Sequence, residues 1–309
     1  MNRSDLTSAI KQKALQLDFD VCGLAKAERL DKESVQLKDW LNKKMHAGMT
    51  YMENHFEMRV DPETLWPGAK SVLVVALNYF PGKVKWGNSE FEISRYALGN
   101  DYHDVLRDKL KLLLEGIQSI EPSVLGRTCV DSAPILEKIW AQKAGLGWQG
   151  KNSLLLTNKN GSYVFLGIIL LNIDLDYDSP ETDHCGSCHK CLVACPTHAI
   201  VSPGVIDSNK CISYHTIERK DSFESGTPIW EKWIFGCDIC QEVCPYNHDA
   251  LLTKVPEFFP RKEITELTSE EWIKLDEVQY KKIFRKSPVK RAKFTGLKRN
   301  INRVISSSK

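Results

Sequence analysis

Apolar residues recur at helical spacing from the start of the chain. Leu6, Ile10, Ala14 and Leu17 share one face over residues 5–17, and Ser4 stands where an N-cap belongs. A short apolar run follows at Val21–Leu24, and residues 32–45 return to a helical pattern. Ser71–Tyr79 (SVLVVALNY) is apolar at almost every position and rich in Val, which predicts a buried strand. Val105, Leu106, Leu110, Leu113, Leu114 and Ile117 define a strongly amphipathic helix over 101–119. Arg127–Val130 reads as a strand and 134–144 as a helix. Ser153–Thr157 and Tyr163–Ile173 predict a hairpin across Asn158–Gly161. The pattern places the chain in the α+β class, with an α/β-like layer domain over 1–178.

That patterning stops near residue 180, where cysteines take over. Eight of the ten lie between positions 185 and 244. Cys185, Cys188 and Cys191 are evenly spaced and lead to Cys195-Pro196; Cys211 stands apart; Cys237, Cys240 and Cys244-Pro245 follow. Three close thiolates let one turn wrap a [4Fe–4S] cube, and the cysteine before proline reaches the other cube. The expected ligand sets are Cys185, Cys188, Cys191 and Cys244 for one cluster, and Cys195, Cys211, Cys237 and Cys240 for the other. Zinc sites do not call for three evenly spaced cysteines before Cys-Pro, and disulfides suit a secreted chain, which nothing here suggests. Residues 179–250 are therefore expected to form a ferredoxin-like domain held by metal. Cys22 and Cys129 sit in apolar stretches and read as small core residues.

Composition adds two points. The first twenty residues lack the apolar core of a signal peptide, and the longest apolar stretch, 164–173, is too short to span a bilayer. With reduced cysteines, this predicts a cytoplasmic protein without membrane attachment. Net charge is only +2, but no acidic residue follows Glu277, while eleven Lys and Arg do, ending at Lys309. Such an end, residues 251–309, suits a polyanion by counterion release, or is simply a solvated basic face.

Three shorter motifs carry chemistry or imitate it. Gly145, Gly147 and Gly150 spell a dinucleotide fingerprint, but they follow a helix instead of a strand, so they read as a glycine turn at a helix end. Asp101-x-His103 resembles the start of a cobalt-ligating motif, yet Leu106 stands where that motif needs glycine. Asp101 as a helix N-cap with a polar His beside it is the stronger reading. Asp131 ends an apolar strand before Ser132-Ala133-Pro134, a position suited either to a site or to capping the next helix.

Together these segments resemble the epoxyqueuosine reductase family. The likeness rests on Met58–Pro62, Pro67–Val72, Ser94–His103, Val130–Glu137, Ala144–Asn152 and the cysteine pattern with Cys211-Ile212-Ser213-Tyr214. It covers nearly the whole chain. It implies a reductive-dehalogenase-like, cobalamin-binding N-terminal domain, the two-cluster domain, and a short basic helical C-terminus. It implies reduction of the epoxide of epoxyqueuosine at wobble position 34 of tRNA to queuosine, by cob(I)alamin fed with electrons from two [4Fe–4S] clusters and an external low-potential donor. The substrates would be tRNAs with a G-U-N anticodon (Asp, Asn, His and Tyr acceptors).

The resemblance also assigns residues. Asp131 would be the proton donor. Cobalamin contacts would fall on Asn54, Ser94, Asp131, Gly147, Lys151, Asn152, Ser153, Ser213 and Asp238, with no histidine below the cobalt. Many members carry arginine where this chain has Asn54. Many continue into a helical-repeat module near where this chain ends, so tRNA binding is expected from the body and tail, through Arg219, Lys220, Lys290, Arg291, Lys298 and Arg299. For the acid role, burial beside the corrin is expected to raise the pKa of Asp131. Two rival readings remain at this level: a cobalamin-dependent reductive dehalogenase, and a ferredoxin-like electron-transfer protein. Nothing in the sequence demands more than a monomer.

Overall fold

The computed structural model describes residues 1–307; Lys309, the last basic residue of the tail, lies outside them. Four strands form the central sheet: β1 (Val21–Lys26), β2 (Ser71–Asn78), β4 (Gly126–Cys129) and β7 (Val164–Leu171), in the order β1-β2-β7-β4. All three pairings are antiparallel. Antiparallel strands usually alternate apolar and polar residues because one face meets water. Here β2 is buried at every position, because both faces of the sheet are covered. Leu73, Val75, Leu77, Ile169 and Leu171 pack on one side with Leu6 and Ile10 of helix Arg3–Gln16 and Leu106, Leu110 and Leu113 of helix Tyr102–Ile120. Val72, Val74, Ala76, Ile168 and Leu170 pack on the other side with Trp140 and Ala141 of helix Glu137–Lys143.

The predicted elements are present, with three corrections. The first helix is capped by Asn2, whose side chain accepts from the Asp5 N–H, and not by Ser4. Helix 134–144 begins only at Glu137, so Asp131 does not cap it. The expected hairpin across 158–161 is reduced to a single bridge between Thr157 and Gly161. Its first arm, β6 (Leu155–Leu156), pairs instead with β5 (Trp148–Gln149), while β7 is claimed by the sheet.

The glycine turn behaves as its context demanded. Gly145 closes helix Glu137–Lys143 in the left-handed region at φ +74°, and its N–H bonds Gln142 O. A Cβ on Gly147 would lie 2.0 Å from Leu156 O, so β6 can approach only because that side chain is absent. Cys129 is buried, and Cys22 packs half-buried against the same core as Leu6 and Ile10.

A third core joins segments that are far apart in sequence. β3 (Glu92–Ile93) pairs in parallel with β10 (Trp233–Phe235). Phe91, Ile93, Trp230, Trp233, Phe235, Trp272, Phe284, Leu297 and Ile301 are all buried there. Residues from each of the expected regions 1–178, 179–250 and 251–309 thus share one core. The helix Lys293–Ser307 turns Leu297, Asn300, Ile301 and Val304 inward. Asn300 bonds Thr216 O at 2.8 Å and Ile234 O at 2.9 Å. The basic end is a packed wall of the body with a charged outer face. Among the described residues no helix is long and apolar enough to cross a membrane.

Candidate functional site

Eight thiols gather on the loops after residue 180. Burial first, and then the neighbouring thiols of Cys185 and Cys188, push the Cys244 thiol up. Cys191 is raised by burial, then by Cys244 and Cys185. Cys237 is raised by burial and, among its neighbours, by Cys211 and Cys195. Cys240 answers to burial, then to Cys237 and Cys211. Thiols crowded in this way resist ionising on their own, and iron relieves that by taking thiolates. No three donors among the described residues converge as the ligands of a single ion do.

Several residues expected on the cofactor also hold these loops. Lys151 Nζ donates to Gly186 O at 2.5 Å and to Cys188 O at 2.8 Å, pinning the turn between Cys185 and Cys188. Asn152 is buried and reaches Cys240 O at 3.4 Å. Asp238 is 1% exposed. It accepts from the Ser94 hydroxyl, from the Arg95 N–H at 2.8 Å and from the Arg95 guanidinium at 3.0 Å. Burial pushes its carboxyl up, against those hydrogen bonds. Ser94 and Asp238 therefore clamp the Cys237–Cys240 loop to β3. Gly147 is filled from behind by β6. None of these five, Ser94, Gly147, Lys151, Asn152 and Asp238, lines the main cavity.

That cavity has a volume of about 1470 Å³ and lies between the sheet body and the thiol loops. It exceeds the usual range for drug-sized ligands, roughly 300–1,000 Å³. Asn54, Asp131, Ser153 and Ser213 line it, as does Cys211 of the thiol set. Four of the nine expected cofactor contacts thus stay on its wall.

Asp131 is one of the charged residues on its wall. Its backbone lies in the left-handed region at φ +44°. Its carboxylate bonds His103 Nε2 at 3.0 Å, while Asp101 bonds His103 Nδ1 at 2.7 Å. Asp101 also caps helix Tyr102–Ile120 through the His103 N–H. Burial opposes the imidazolium, but bonds to Asp101 and Asp131 outweigh it and lift His103 to about 9. Burial likewise opposes the Asp131 carboxylate, yet the His103 bond and charge hold it below its ordinary value. In the protein alone the shift at Asp131 is downward, and near neutral pH the shared proton sits on His103; the rise expected beside a corrin concerns the loaded protein. The Asp131 side chain keeps 57% of its surface open to the cavity.

Glu137 lies behind it. Its Oε1 accepts the Asp131 N–H at 2.7 Å. Burial, then the nearby Asp131 charge, raise Glu137 to about 8. Tyr51, Arg59, Tyr96, Tyr102, His103, Glu137 and Arg291 also stand on the wall. Of these only Arg291 was expected at a site. His103 reads in sequence as a polar neighbour of a helix cap. Its meeting with Asp131, 28 residues further on, arises only when helix Tyr102–Ile120 packs beside β4.

The expected tRNA cations divide. Lys298 is committed to Ile273 O and Leu275 O. Arg299 donates to Arg219 O at 2.8 Å, Asp221 O at 2.7 Å and His215 O at 2.9 Å. Arg219 donates to Ser222 O and Glu224. These three hold loops and do not project a charge. Arg291 sits at the cavity rim, paired with both oxygens of Glu218 and stacked over Tyr51 at 5.7 Å. Lys220 and Lys290 are exposed.

Comparison with known proteins agrees with this architecture. A family model described as epoxyqueuosine reductase QueG, DUF1730, matches residues 59–132, and one for a 4Fe-4S double cluster binding domain matches 184–247. An epoxyqueuosine reductase from Cellulophaga algicola is 47% identical over 294 residues, covering 95% of this chain and 96% of the relative. A crystal structure of epoxyqueuosine reductase with a tRNA-Tyr epoxyqueuosine-modified stem loop superposes with a TM-score of 0.92 at 30% identity, covering 99% of this chain and 82% of that one. A Bacillus subtilis epoxyqueuosine reductase, whose catalytic aspartate loop is swung out of the active site, gives 0.91 at 30% identity, with the same coverage. From fold, thiol loops and near full-length likeness, the chain belongs to the epoxyqueuosine reductase family.

Proposed function

We propose that this protein reduces epoxyqueuosine to queuosine at wobble position 34 of tRNA. The observation that carries the reading is the cavity itself, which has Asp131 and His103 on one wall and the cluster cysteine Cys211 on another. Removing the epoxide oxygen as water needs two electrons and two protons. The eight cysteines hold two [4Fe–4S] clusters in the sets 185/188/191/244 and 195/211/237/240, which pass electrons one at a time from an external low-potential donor. The cavity holds cobalamin, for which Asn54, Ser153 and Ser213 offer polar contacts; when bound, its cobalt supplies the strong reductant. The size of the cavity and its mixed polar and apolar wall support that fit.

The protein's own part is binding and proton delivery. Charge that develops on the departing oxygen is met by a proton from the His103–Asp131 pair, with Asp131 as the group facing the substrate and His103 as the store. Asp101 keeps the imidazole charged and oriented. The modified base leaves the anticodon stack to enter the cavity, and Tyr51 with Arg291 at the rim offers planar surfaces of the kind that hold unstacked bases. Lys220 and Lys290 meet phosphates, and G-U-N anticodons are the preferred class. The enzyme works in the cytoplasm as a monomer.

A visible spectrum of protein purified without air, with added cobalamin, tests the cofactors: corrin bands should appear over the broad iron–sulfur absorption. Conversion of epoxyqueuosine-containing tRNA by the reduced protein tests the reaction. No turnover with both cofactors loaded would end the proposal.

A further inference from the structure

The turn carrying Asp131 is held by side chains from different elements, with Tyr102 also hydrogen-bonding its carboxylate. His103, on helix Tyr102–Ile120, grips the carboxylate. Glu137, on the first turn of helix Glu137–Lys143, accepts the backbone N–H of the same residue at 2.7 Å. Between them the chain runs through Ser132, Ala133 and Pro134 with few other ties, all local: Ser132 to Val130 O and Ile135 N to Ala133 O at 2.8 Å. Asp131 sits in a backbone region that a non-glycine residue adopts at a cost, so something must hold it there.

We propose that Glu137 is a positioning residue of the reaction: its carboxyl anchors the Asp131 amide, fixes the left-handed turn, and so keeps the Asp131 carboxylate on His103 and aimed into the cavity. This deepens the reading of Asp131 as the proton-delivering group and rests on it. Three observations favour an anchor over a chance contact. The bond is short. It satisfies an N–H that lies beyond the end of the β4 ladder. And the Glu137 side chain is half-buried on the cavity wall, facing Asp131, His103 and Lys138, whose Nζ is held by Ser153 O at 2.6 Å. Burying a carboxyl there is costly unless the bond it makes is used. An amide oxygen in the same place would serve as acceptor equally well, so the role depends on reach and not on charge.

The test uses the cluster-loaded protein and two readouts. One is steady-state turnover of epoxyqueuosine-containing tRNA with cobalamin present. The other is the titration of His103 by histidine-selective NMR without tRNA or cobalamin, its signal assigned by its loss in His103→Gln. Glu137→Ala should lower kcat at least tenfold with little change in KM. It should also move His103 titration from near 9 toward the ordinary histidine range of about 6.5, because the turn no longer delivers Asp131 to it. Glu137→Asp keeps the carboxyl but is one methylene short and should behave the same way, which covers the case that the alanine variant does not fold. Glu137→Gln should restore both readouts. The proposal is overturned by an unchanged His103 titration in Glu137→Ala and Glu137→Asp, by unimpaired turnover in them, or by a glutamine variant as defective as either. Failure of the tRNA reaction in the unsubstituted protein would strike the functional reading, while the His103 titration would still judge the anchor.

Discussion

Residues 71–78 and residues 181–195 show two ways of holding a backbone. Every residue of the first stretch is buried, and none of the second is. β2 is fixed by apolar packing on both faces and by ladders to β1 and β7. The thiol loop has almost no core of its own. It is tied by the Lys151 bonds to Gly186 O and Cys188 O, and it presents cysteines. One region derives its stability from area removed from water, at roughly 25 cal/mol per Å². The other depends on metal–thiolate bonds that exist only in the loaded protein. Removing iron should therefore separate them. On chelation, or in Cys240→Ser, amide exchange across 185–195 and 237–247 should rise sharply, turnover should be lost, and β2 and β7 should stay protected. In the serine variant iron should fall from about eight per chain to about four. Uniform loss of protection would show that the sheet leans on the clusters too.

The same contrast applies to two aspartates. Asp238 is buried and spent on Ser94 and Arg95; Asp131 is open to the cavity and shares a proton with His103. Asp131→Asn should keep iron and fold but lower turnover by about 10²- to 10⁴-fold, the usual worth of a positioned proton donor. Near-normal turnover would remove Asp131 from the role. Asp238→Asn should do the reverse: it leaves Arg95 with Glu242 as its anionic partner and should destabilise the cluster loop, with a lower melting temperature and slower cluster reconstitution.

His103 adds a pH dependence whose sign is set by its partners. Its pKa in the folded protein, about 9, lies above the unfolded value near 6.5. The stabilisation it contributes is complete below about 6.5 and disappears as pH rises through 9. Turnover should accordingly fall on an alkaline limb near 9, when the pair no longer holds its proton, and His103→Gln should abolish that limb while lowering the plateau. An alkaline limb unchanged in that variant would assign it elsewhere.

Packing offers a milder lever. Ile168 is fully buried on the helix Glu137–Lys143 side of the sheet. Ile168→Ala should cost about 2–5 kcal/mol by cavity formation. Iron content and turnover measured well below the melting transition should be nearly unchanged, because the strand does not line the cavity. A loss of iron in proportion to the stability lost would mean that the sheet and the thiol loops are coupled more tightly than their packing suggests.

What could be read in advance follows the same division. Periodicity located β2, helix Tyr102–Ile120 and β7, since a buried strand and an amphipathic helix write their environment into consecutive residues. Cysteine spacing located the metal loops, because a cube restricts how far apart its ligands can lie in sequence. The wall of the cavity was mostly illegible. His103, Glu137, Tyr51 and Arg59 come from separate elements, and no local pattern ties them to Asp131. Ser94, Asp238, Lys151 and Asn152 were assigned to the cofactor by family resemblance. In the structure they also brace the loops around the cysteines, a role that leaves no mark on spacing. The downward shift of Asp131 in the protein alone was not legible, because it depends on which group meets the carboxylate. A low-dielectric wall would raise it, whereas the imidazolium lowers it.

The smallest expected effect concerns the basic end, where sequence treats Lys290, Arg291, Lys298 and Arg299 alike and the structure does not. Lys298 and Arg299 close the ends of other segments through backbone carbonyls, so each alanine variant should lose stability, roughly 1–3 kcal/mol from the orphaned acceptors. Neither should change how tRNA affinity responds to salt. Lys290 and Lys220 are exposed and make the opposite prediction. Their alanine variants should leave the melting temperature in place and reduce the slope of log K against log salt by about 0.7 to 0.9 for every phosphate no longer neutralised. Arg291 lies between the two, because Glu218 already neutralises part of its charge; Glu218→Gln should release it and steepen the slope slightly. If Lys298→Ala and Lys290→Ala flatten the slope equally, the division between bracing and phosphate-facing cations fails, and the whole basic face acts as one electrostatic surface.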